Sequence, residues 1–388
     1  MKVLYQSEDA FKTCDRWCVY SHFDKNSQVE KYVLLAIEKL KTAGFQVLFV
    51  STSPAINEAS LLELKLHADC VVIRENIGYD FGSYKLGIEF LRKHNIQLRQ
   101  LLITNDSVFG PFNDLTAILN KATDFDIYGM TDSIDFLYHL QSYFIIYNQR
   151  AVNSKTFFDF WNSVQLFDKE MREFKVKIIE KYEIGGSQLF LKNGFKIGVA
   201  FSFKNIIEKS CNEFIKQIGL AEKMAGVAVP EFTTGNNLTH SYWRKLLELR
   251  CPYIKRELLT LNPTKTDIHD WPDQIKRFTN YDIRYIVDAI INHSGGIDFF
   301  YTNEKKDIII NAMTIEGNVR LGLNANFKDF SEVMNAPIFR DYKLDQKDYL
   351  ETNPDVKAAI DKNEEISAAH HFFHHGRFEE RNFKLVPA

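Results

Sequence analysis

The chain has 388 residues, of which 45% are hydrophobic and 26% are charged, and its formal net charge is -3. A chain of this length is expected to form two or three globular domains. Because Lys and Arg are spread along the sequence, the composition excludes a nucleic-acid-binding protein and a strongly basic membrane-surface protein. No run of about 18 apolar residues occurs. We therefore expect a cytoplasmic protein with reduced cysteines and at most a peripheral membrane contact.

Strands and helices alternate along the first half of the sequence. The spacing of apolar residues predicts strands at 17–23, 46–53, 70–75, 99–104, 126–131 and 142–148, and helices at 29–45, 56–68 and 82–94. This alternation indicates an α/β fold, in which a mostly parallel sheet is covered by helices on both faces. We assign residues 1–205 to this first domain.

The alternation stops near residue 205. Helices are predicted at 202–226 and 241–250, and several prolines follow them, so residues 206–295 are predicted to form a helical segment. The remaining region, 296–388, contains a β-rich stretch at 307–325 and a short helical module at 344–383. No function is predicted for the β-rich stretch.

Polar residues follow several predicted strands. In parallel α/β sheets, ligands bind beyond the carboxyl ends of the strands, where loops and helix N-termini supply polar groups. We therefore expect a ligand site formed by His22 after the first strand, the segment 76–82 after the third, and Asn105 with Asp106 after the fourth.

Simpler interpretations of these residues stay open. His22 could belong to a strand-terminating turn, and Asp106 could be an Asx-turn residue. Asn76 and Gly78 could form only a tight turn, since glycine is favoured at positive φ. Asp80 could cap the helix that follows it.

Common cofactor motifs are missing from the sequence. Neither G-x-G-x-x-G after the first strand nor G-x-x-x-x-G-K-[ST] occurs. The phosphate-binding loops of dinucleotide-binding proteins and of P-loop proteins are therefore missing, which disfavours both classes. G-x-S-x-G is also missing, which disfavours an esterase. A nucleotide-sugar site remains, in which a strand-end carboxylate holds a divalent metal that bridges the diphosphate.

Several ordered segments resemble the rhamnan synthesis protein F family of bacterial polysaccharide glycosyltransferases. They are residues 74–89, 101–112, 129–133, 139–151, 181–197 and 238–271. The resemblance covers roughly residues 16 to 290. It implies a Rossmann-like, A-type nucleotide-sugar fold, with the catalytic domain at 1–205 and an acceptor-side helical segment at 206–295.

A more distant similarity, to inverting glycosyltransferases of the A-type fold, implies donor-binding roles. The residues concerned are His22, Asn76, Gly78, Asp80, Gly82, Asn105 and Asp106. The Asp-x-Asp motif of those enzymes is matched here by Thr104-Asn105-Asp106, which keeps only the last carboxylate. The resemblance thus implies a divalent metal, Mg or Mn, at Asp106, although metal dependence itself stays open.

The same similarity implies a catalytic base and an acceptor side. Counting back from residues 194–197 makes Glu183 the candidate base, although it could also be a solvated residue near a helix start. The family position of four further residues indicates the acceptor side, with strand-end capping as the alternative. These residues are Asp132, His139, Gln141 and Ser142.

The resemblance implies transfer of a sugar to a growing cell-surface polysaccharide, with dTDP-rhamnose as candidate donor. The acceptor would be a lipid-linked glycan or an oligosaccharide at the inner face of the cell membrane. The alternative is a non-catalytic module that binds carbohydrate or nucleotide sugar and has a degenerate metal motif.

The C-terminal module at 344–383 is similar to helical modules appended to bacterial glycosyltransferases and surface proteins. Its histidines, His370, His371, His374 and His375, are spaced so that i, i+4 pairs could share a helix face, as zinc ligands do. No third ligand is evident. The resemblance of the module explains His371 without a metal.

Overall fold

The structure is a computed structural model. It describes residues 1–11, 14–134, 137–166, 174–210, 237–264, 266, 268, 270–293, 342–362, 367–368, 371–372 and 385–387. The chain divides into two compact units, Met1–Arg256 and Glu257–Ala388. The domain boundaries near 205 and 295 stay predictions.

The first unit contains eleven of the described strands. They are β1 (Lys2–Gln6), β2 (Arg16–His22), β3 (Gln46–Ser51), β4 (Cys70–Ile73), β5 (Gln100–Asn105), β6 (Val108–Phe109), β7 (Ile127–Ser133), β8 (His139–Leu140), β9 (Phe144–Asn148), β10 (Ile197–Phe201) and β11 (Ile254–Lys255). In the second unit, β12 (Tyr342–Leu344) pairs with β13 (Leu385–Pro387).

The helices of the first unit lie mainly between these strands. They are α1 (Lys31–Thr42), α2 (Glu58–His67), α3 (Tyr79–Lys93), α4 (Thr116–Ala122), α5 (Gln149–Val152), α6 (Lys155–Ser163), α7 (Phe174–Ile178), α8 (Gly185–Lys192), α9 (Leu238–Ser241) and α10 (Trp243–Glu248). A π-helical segment, Ile179–Ile184, joins α7 to α8. Residues 203–210 are also helical.

In the described part of the chain, further helices follow from residue 256 onward. They are α11 (Arg256–Thr260), α12 (Trp271–Phe278), α13 (Arg284–His293), α14 (Gln346–Thr352) and α15 (Pro354–Asp361). In α14, the side chain of Asp345 caps the N-terminus by accepting from the Asp348 amide.

The main sheet has nine strands in the described part of the chain, with the order β1-β4-β3-β2-β5-β9-β7-β10 and β8 paired to β7. The central strands β4, β3, β2 and β5 run parallel, as do β7 and β10. Strand β9 runs antiparallel between β5 and β7. The predicted mostly parallel α/β fold is therefore confirmed.

The central strands are buried because helices cover both faces of the sheet. All residues of β5 are buried, and in β2 only Arg16 is half-exposed. Helix α1 buries one face, which includes Tyr32, Val33 and Ile37. This continuous apolar pattern is why the sequence predicted these strands to within a few residues.

Some elements differ from the prediction. Strand β1, which the sequence analysis did not predict, pairs antiparallel with β4 and has no fully buried residue, and its apolar run is only three residues long. Helix α3 begins at Tyr79, before the predicted start at Gly82, because Gly78 adopts a left-handed conformation (φ 74°) and ends the preceding turn. The β-rich stretch 307–325 lies outside the described residues.

The predicted histidine cluster is described only at His371, whose Nδ1 lies 3.2 Å from the Tyr349 hydroxyl. His370, His374 and His375 lie outside the described residues. Cys14, Cys18, Cys70 and Cys251 carry free thiols. No helix in the described ranges is long and apolar enough to cross a membrane.

Candidate active site

Polar residues from distant parts of the chain meet at one edge of the sheet. Ser21 at the end of β2 pairs with Asn105 at the end of β5, and Thr104 pairs with Phe144 at the start of the antiparallel β9. The carboxyl ends of the parallel strands therefore lie beside the amino end of β9. Since loops and helix N-termini also meet there, this edge is the candidate active site.

Asp106 is a buried carboxylate just beyond β5, with 5% of its surface exposed. Its Oδ2 accepts from the Phe23 amide at 3.2 Å and from Arg256 Nη1 at 3.3 Å. Its backbone carbonyl accepts from the Tyr32 hydroxyl at 3.1 Å. The bonds from Phe23 and Arg256 tie Asp106 to β2 and to the start of α11, so its carboxylate does more than close an Asx turn.

Asp80 lies in the first turn of α3 and reaches across to the strand ends. Its two oxygens accept from Ser21 Oγ at 2.9 Å and from Asn105 Nδ2 at 2.8 Å. Loss of hydration and the negative charge of Asp106 raise the pKa of Asp80 above its ordinary value. The capping alternative is not favoured, since the N-cap residue is Gly78 and the carboxylate bonds to the strands.

Two cations, which the sequence analysis missed, lie beside these carboxylates. Lys255 donates from Nζ to Ser107 Oγ at 3.0 Å, and Arg256 donates from Nη1 to the Tyr32 hydroxyl at 2.8 Å as well as to Asp106. Strand β11 places them here by pairing with β6, so that Lys255 lies opposite Val108. The dipeptide Lys-Arg after an apolar run was the only signal in the sequence.

This charge pattern fits a divalent cation poorly. Hard cations such as Mg²⁺ need several oxygen ligands. Asp106 already shares Oδ2 with Arg256, and both oxygens of Asp80 accept hydrogen bonds. In the described ranges, no group of three or more His, Cys, Asp or Glu side chains could hold a metal. The neighbouring guanidinium would repel a second cation, whereas it would attract an anion.

The turn between β4 and α3 is organised by Arg74, another residue that the sequence analysis missed. Its guanidinium donates to the carbonyls of Glu75, Ile77 and Tyr79 and to Ser83 Oγ, at 2.6 to 3.1 Å. Burial lowers the pKa of Arg74 to about 10. Arg74 therefore sets the path of the backbone that delivers Asp80.

Steric contacts explain why two positions in this turn are occupied by glycine. A Cβ at Gly82 would lie 2.7 Å from the Ile77 carbonyl and 2.9 Å from the Arg74 guanidinium. At Gly78, φ is positive and a Cβ would lie 3.1 Å from the Leu166 side chain. Asn76 is half-buried in the same turn. Donor contacts by these three residues stay predictions.

His22 is buried at the end of β2, with 2% of its surface exposed. Its Nδ1 lies 3.2 Å from Ser51 Oγ, and its ring centroid lies 5.0 Å from that of Phe49. Both contacts join the ends of neighbouring strands. They support the strand-terminating role, and the donor-binding role of His22 stays a prediction.

Glu183 faces the amino end of β9 from the π-helical segment. Its Oε1 accepts from the Ser142 backbone amide at 2.5 Å. The residue is half-buried and lines a cavity with Leu140, Tyr182 and Ser187. Isolated π turns are rare and often occur at functional sites. Glu183 and Ser142, which were predicted separately, are thus brought into direct contact.

Tyr84 links the two carboxylate regions. Its hydroxyl donates to the Ser142 carbonyl at 3.2 Å, while a hydrogen bond with Asn105 opposes the rise in the pKa of Tyr84 that burial causes. Asn105 in turn donates to Asp80. Tyr84 therefore lies between Asn105, which donates to Asp80, and Ser142, whose backbone amide donates to Glu183.

The other predicted acceptor-side residues lie along the same edge. Asp132, at the end of β7, accepts from the Phe203 amide at 2.5 Å, and burial raises its pKa. His139 Nδ1 lies 2.8 Å from the Leu137 carbonyl. Gln141 accepts from Thr131 Oγ1 at 2.6 Å and donates to Asn237 at 3.3 Å. These bonds hold neighbouring loops, and acceptor contacts stay predictions.

Comparison of the sequence with protein families gives a match over residues 47–312 to the family described as "Rhamnan synthesis protein F". The match spans well over half of the chain. This protein belongs to the rhamnan synthesis protein F family, and that membership supports a glycosyltransferase.

A curated relative is the virulence protein VirA of Vibrio anguillarum, which is 31% identical over 235 residues, covering 58% of this chain and 73% of VirA. Solved structures of glycosyltransferase type are more distant. The galactosyltransferase LgtC, with donor and acceptor sugar analogs, has a TM-score of 0.28 at 13% identity, over 47% of this chain and 72% of LgtC. Residues 1–349 of S. aureus TarS give 0.29 at 11% identity, over 80% and 83% of the two chains. These scores are too low to carry residue roles across.

Proposed function

We propose that this protein is an inverting glycosyltransferase that moves a sugar from a nucleoside-diphosphate donor to a saccharide acceptor during synthesis of a cell-surface polysaccharide. The donor diphosphate lies at the ends of β2 and β5, near Asp80 and Asp106. The acceptor lies at the start of β9, where Glu183 is the base.

In this scheme the acceptor hydroxyl attacks the anomeric carbon of the donor sugar. The hydroxyl oxygen forms the new C–O bond, and its proton passes to the Glu183 carboxylate. The bond between the anomeric carbon and the phosphate oxygen breaks, and its electron pair leaves with the nucleoside diphosphate. A single displacement of this kind inverts the anomeric centre.

The observation that carries the proposal is the position of Glu183. Its carboxylate is held by the Ser142 amide, next to the edge at which the parallel strands end. Tyr84, which donates to the Ser142 carbonyl, lies between this base and Asn105, the residue that donates to Asp80. A base on one side and a charged pocket on the other are the two parts that a single displacement requires.

Rhamnose, as dTDP-rhamnose, is the candidate donor because of the family description. A lipid-linked or oligosaccharide acceptor at the inner face of the membrane follows from the same reasoning. The metal assistance that the sequence implied at Asp106 forms no step here, since Asp106 pairs with Arg256.

Replacing the base tests the proposal. Glu183→Gln keeps the shape of the side chain but removes its basicity, so transfer should fall by about 100- to 10,000-fold. Release of nucleoside diphosphate from dTDP-rhamnose, UDP-galactose, UDP-glucose and GDP-mannose, with lipid extract as acceptor, measures the rate. Donor affinity, measured by calorimetry, should stay within about twofold of the unaltered protein.

Glu180→Gln is the matched control, because Glu180 lies on the same π-helical segment and is exposed. It should keep full activity. Equal rates for Glu183→Gln and the unaltered protein would rule out this base. Binding of a nucleotide sugar without any turnover by the unaltered protein would instead support the non-catalytic binding module.

A further inference from the structure

The helical run that carries Glu183 contacts alternate residues of the segment that contains β8. Ser187 Oγ accepts from the Leu140 amide at 3.1 Å, and Glu183 Oε1 accepts from the Ser142 amide at 2.5 Å. The Gln141 amide between them instead donates to a carbonyl of β7 at 3.0 Å. Side chains of the helical run therefore take the place of a neighbouring strand for two amides of this segment.

The hydroxyl group of Ser187 also donates a hydrogen bond. Its Oγ donates to the Glu183 carbonyl at 3.1 Å, four residues earlier in the same helical run. Serine hydroxyls commonly bond back to the i−4 carbonyl of their own helix, so this bond alone would be a local feature. Here the same oxygen also accepts from the Leu140 amide, and Ser187 is buried. The hydroxyl therefore joins the backbone of Glu183 to β8.

Two further contacts hold the start of α8 in place. A Cβ added at Gly186 would lie 2.8 Å from Cζ of Phe160, so the helix backbone packs directly against this ring. Gln188 Nε2 donates to the Tyr138 carbonyl at 2.7 Å, which adds another bond to the segment that contains β8. With α8 placed in this way, the Ser187 hydroxyl links the adjoining π-helical segment to the same strand.

We propose, on the basis of the proposed glycosyl transfer, that Ser187 is a positioning residue for the base, because it fixes the Glu183 backbone against β8 and so keeps the carboxylate aimed at the acceptor side. A base has to meet the proton that it takes within hydrogen-bonding distance. A displacement of about 1 Å is able to slow an enzyme by about 100-fold. This role requires no contact between Ser187 and either substrate.

Ser187→Ala removes both bonds of the hydroxyl and tests the proposal. Transfer by the full chain should slow by about 5- to 50-fold, because the aim of the base is loosened. The KM for the donor should stay within about twofold of its value in the unaltered protein. Ser187→Thr keeps a hydroxyl that is able to bond to the i−4 carbonyl, and Ser187 lines a cavity with room for the added methyl group. This variant should restore most of the lost rate.

Ser163→Ala is the matched control, because Ser163 Oγ donates at 2.7 Å to the Phe160 carbonyl of its own helix, α6. The substitution removes the same kind of hydroxyl from an exposed position. It should keep full activity. Thermal unfolding of each variant establishes that it is folded before its rate is measured.

Two measurements separate positioning of the base from a general loss of stability. In the Glu183→Gln background, where the base is already missing, Ser187→Ala should change the residual rate by less than about twofold. Hydrogen exchange resolved to single amides follows the Ser142 amide, which should exchange about 10-fold faster in Ser187→Ala once the carboxylate no longer holds it. The Leu140 amide should exchange faster whatever the role of Ser187, because it loses its own partner.

Unchanged transfer by Ser187→Ala, or an equally large loss in the Glu183→Gln background, would overturn the proposal. An unaltered exchange rate of the Ser142 amide would also overturn it, since the carboxylate would then keep its aim without the hydroxyl. Faster exchange of this amide in a protein that transfers no sugar would support the hold of Ser187 on Glu183 and reject the enzyme. The two proposals therefore fail in different measurements.

Discussion

The proposed donor edge and the proposed acceptor side differ in how they are built. At the donor edge, which comprises Asp80, Asn105, Asp106, Lys255 and Arg256, charged groups from distant segments pair with one another. At the acceptor side, which comprises Ser142 and Glu183, one carboxylate meets a backbone amide beside an apolar cavity. The first region thus concentrates paired charges, whereas the second places one carboxylate beside apolar side chains.

The largest expected effect is a loss of stability in the turn that positions the donor edge. Arg74→Met removes the guanidinium that satisfies the carbonyls of Glu75, Ile77 and Tyr79. Leaving several buried acceptors unpaired should lower the free energy of unfolding by about 3 to 5 kcal/mol. Urea-induced unfolding, followed by circular dichroism, measures this change.

The control for Arg74 is Arg92→Met, on the exposed side of α3, where the guanidinium lies over the Phe158 ring at 4.3 Å. Its cost should stay below about 1 kcal/mol. Similar losses for the two variants would mean that Arg74 does not organise the turn that carries Asp80.

A smaller effect is expected from removing a hydrogen bond that lies between the two regions. Tyr84→Phe removes the hydroxyl that donates to the Ser142 carbonyl, and should lower the free energy of unfolding by about 1 kcal/mol. If the connection positions the base, the variant should also transfer sugar about 3- to 10-fold more slowly, with unchanged donor affinity. Tyr128→Phe serves as control, because the buried Tyr128 hydroxyl has no hydrogen-bond partner among the residues that the structure describes. An unaltered rate for Tyr84→Phe would show that the two regions act independently.

The smallest effect concerns charge at the donor edge and depends on pH. Because loss of hydration and Asp106 raise the pKa of Asp80, the folded chain holds this proton more tightly than the unfolded chain. The stability that results is present below the ordinary aspartate pKa and is lost as pH rises through the raised value. Relative to Asp80→Asn, the unaltered protein should therefore become less stable as pH rises from about 4 toward neutrality.

Unfolding free energies of both proteins, measured across this pH range, give the comparison. Asp114→Asn should show the opposite sign, since hydrogen bonds from Thr116 lower the pKa of Asp114. For Asp114, the stabilisation is present above the ordinary pKa and is lost as pH falls. A pH-independent difference for Asp80→Asn would mean that its carboxyl group is not perturbed by its surroundings.

Much of the fold could be predicted from the sequence because buried parallel strands consist of continuous runs of apolar residues. Strands β2, β3 and β5 were found in this way, and the polar residues at their ends followed. Asp80, Asn105 and Asp106 were expected to lie together because parallel strands end at the same edge, and the structure brings them together, whereas their donor-binding roles stay predictions.

The cationic part of the donor edge could not be predicted in this way. Arg256 lies 150 positions from Asp106, and strand β11, which delivers it, has only two residues. A pairing this short leaves no periodic pattern in the sequence. Arg74 was overlooked for another reason, since a polar residue directly after a strand is expected in any case.

The wide helical turn at residues 179–184 carries a consequence for how the protein tolerates change. An ordinary α-helix rotates by about 100° per residue, so losing a single position from this turn would swing Glu183 around the helix axis by roughly that angle. The aim of that carboxylate toward the Ser142 amide would be lost, and the buried side chains of Tyr182 and Ile184 in the same turn would be displaced with it.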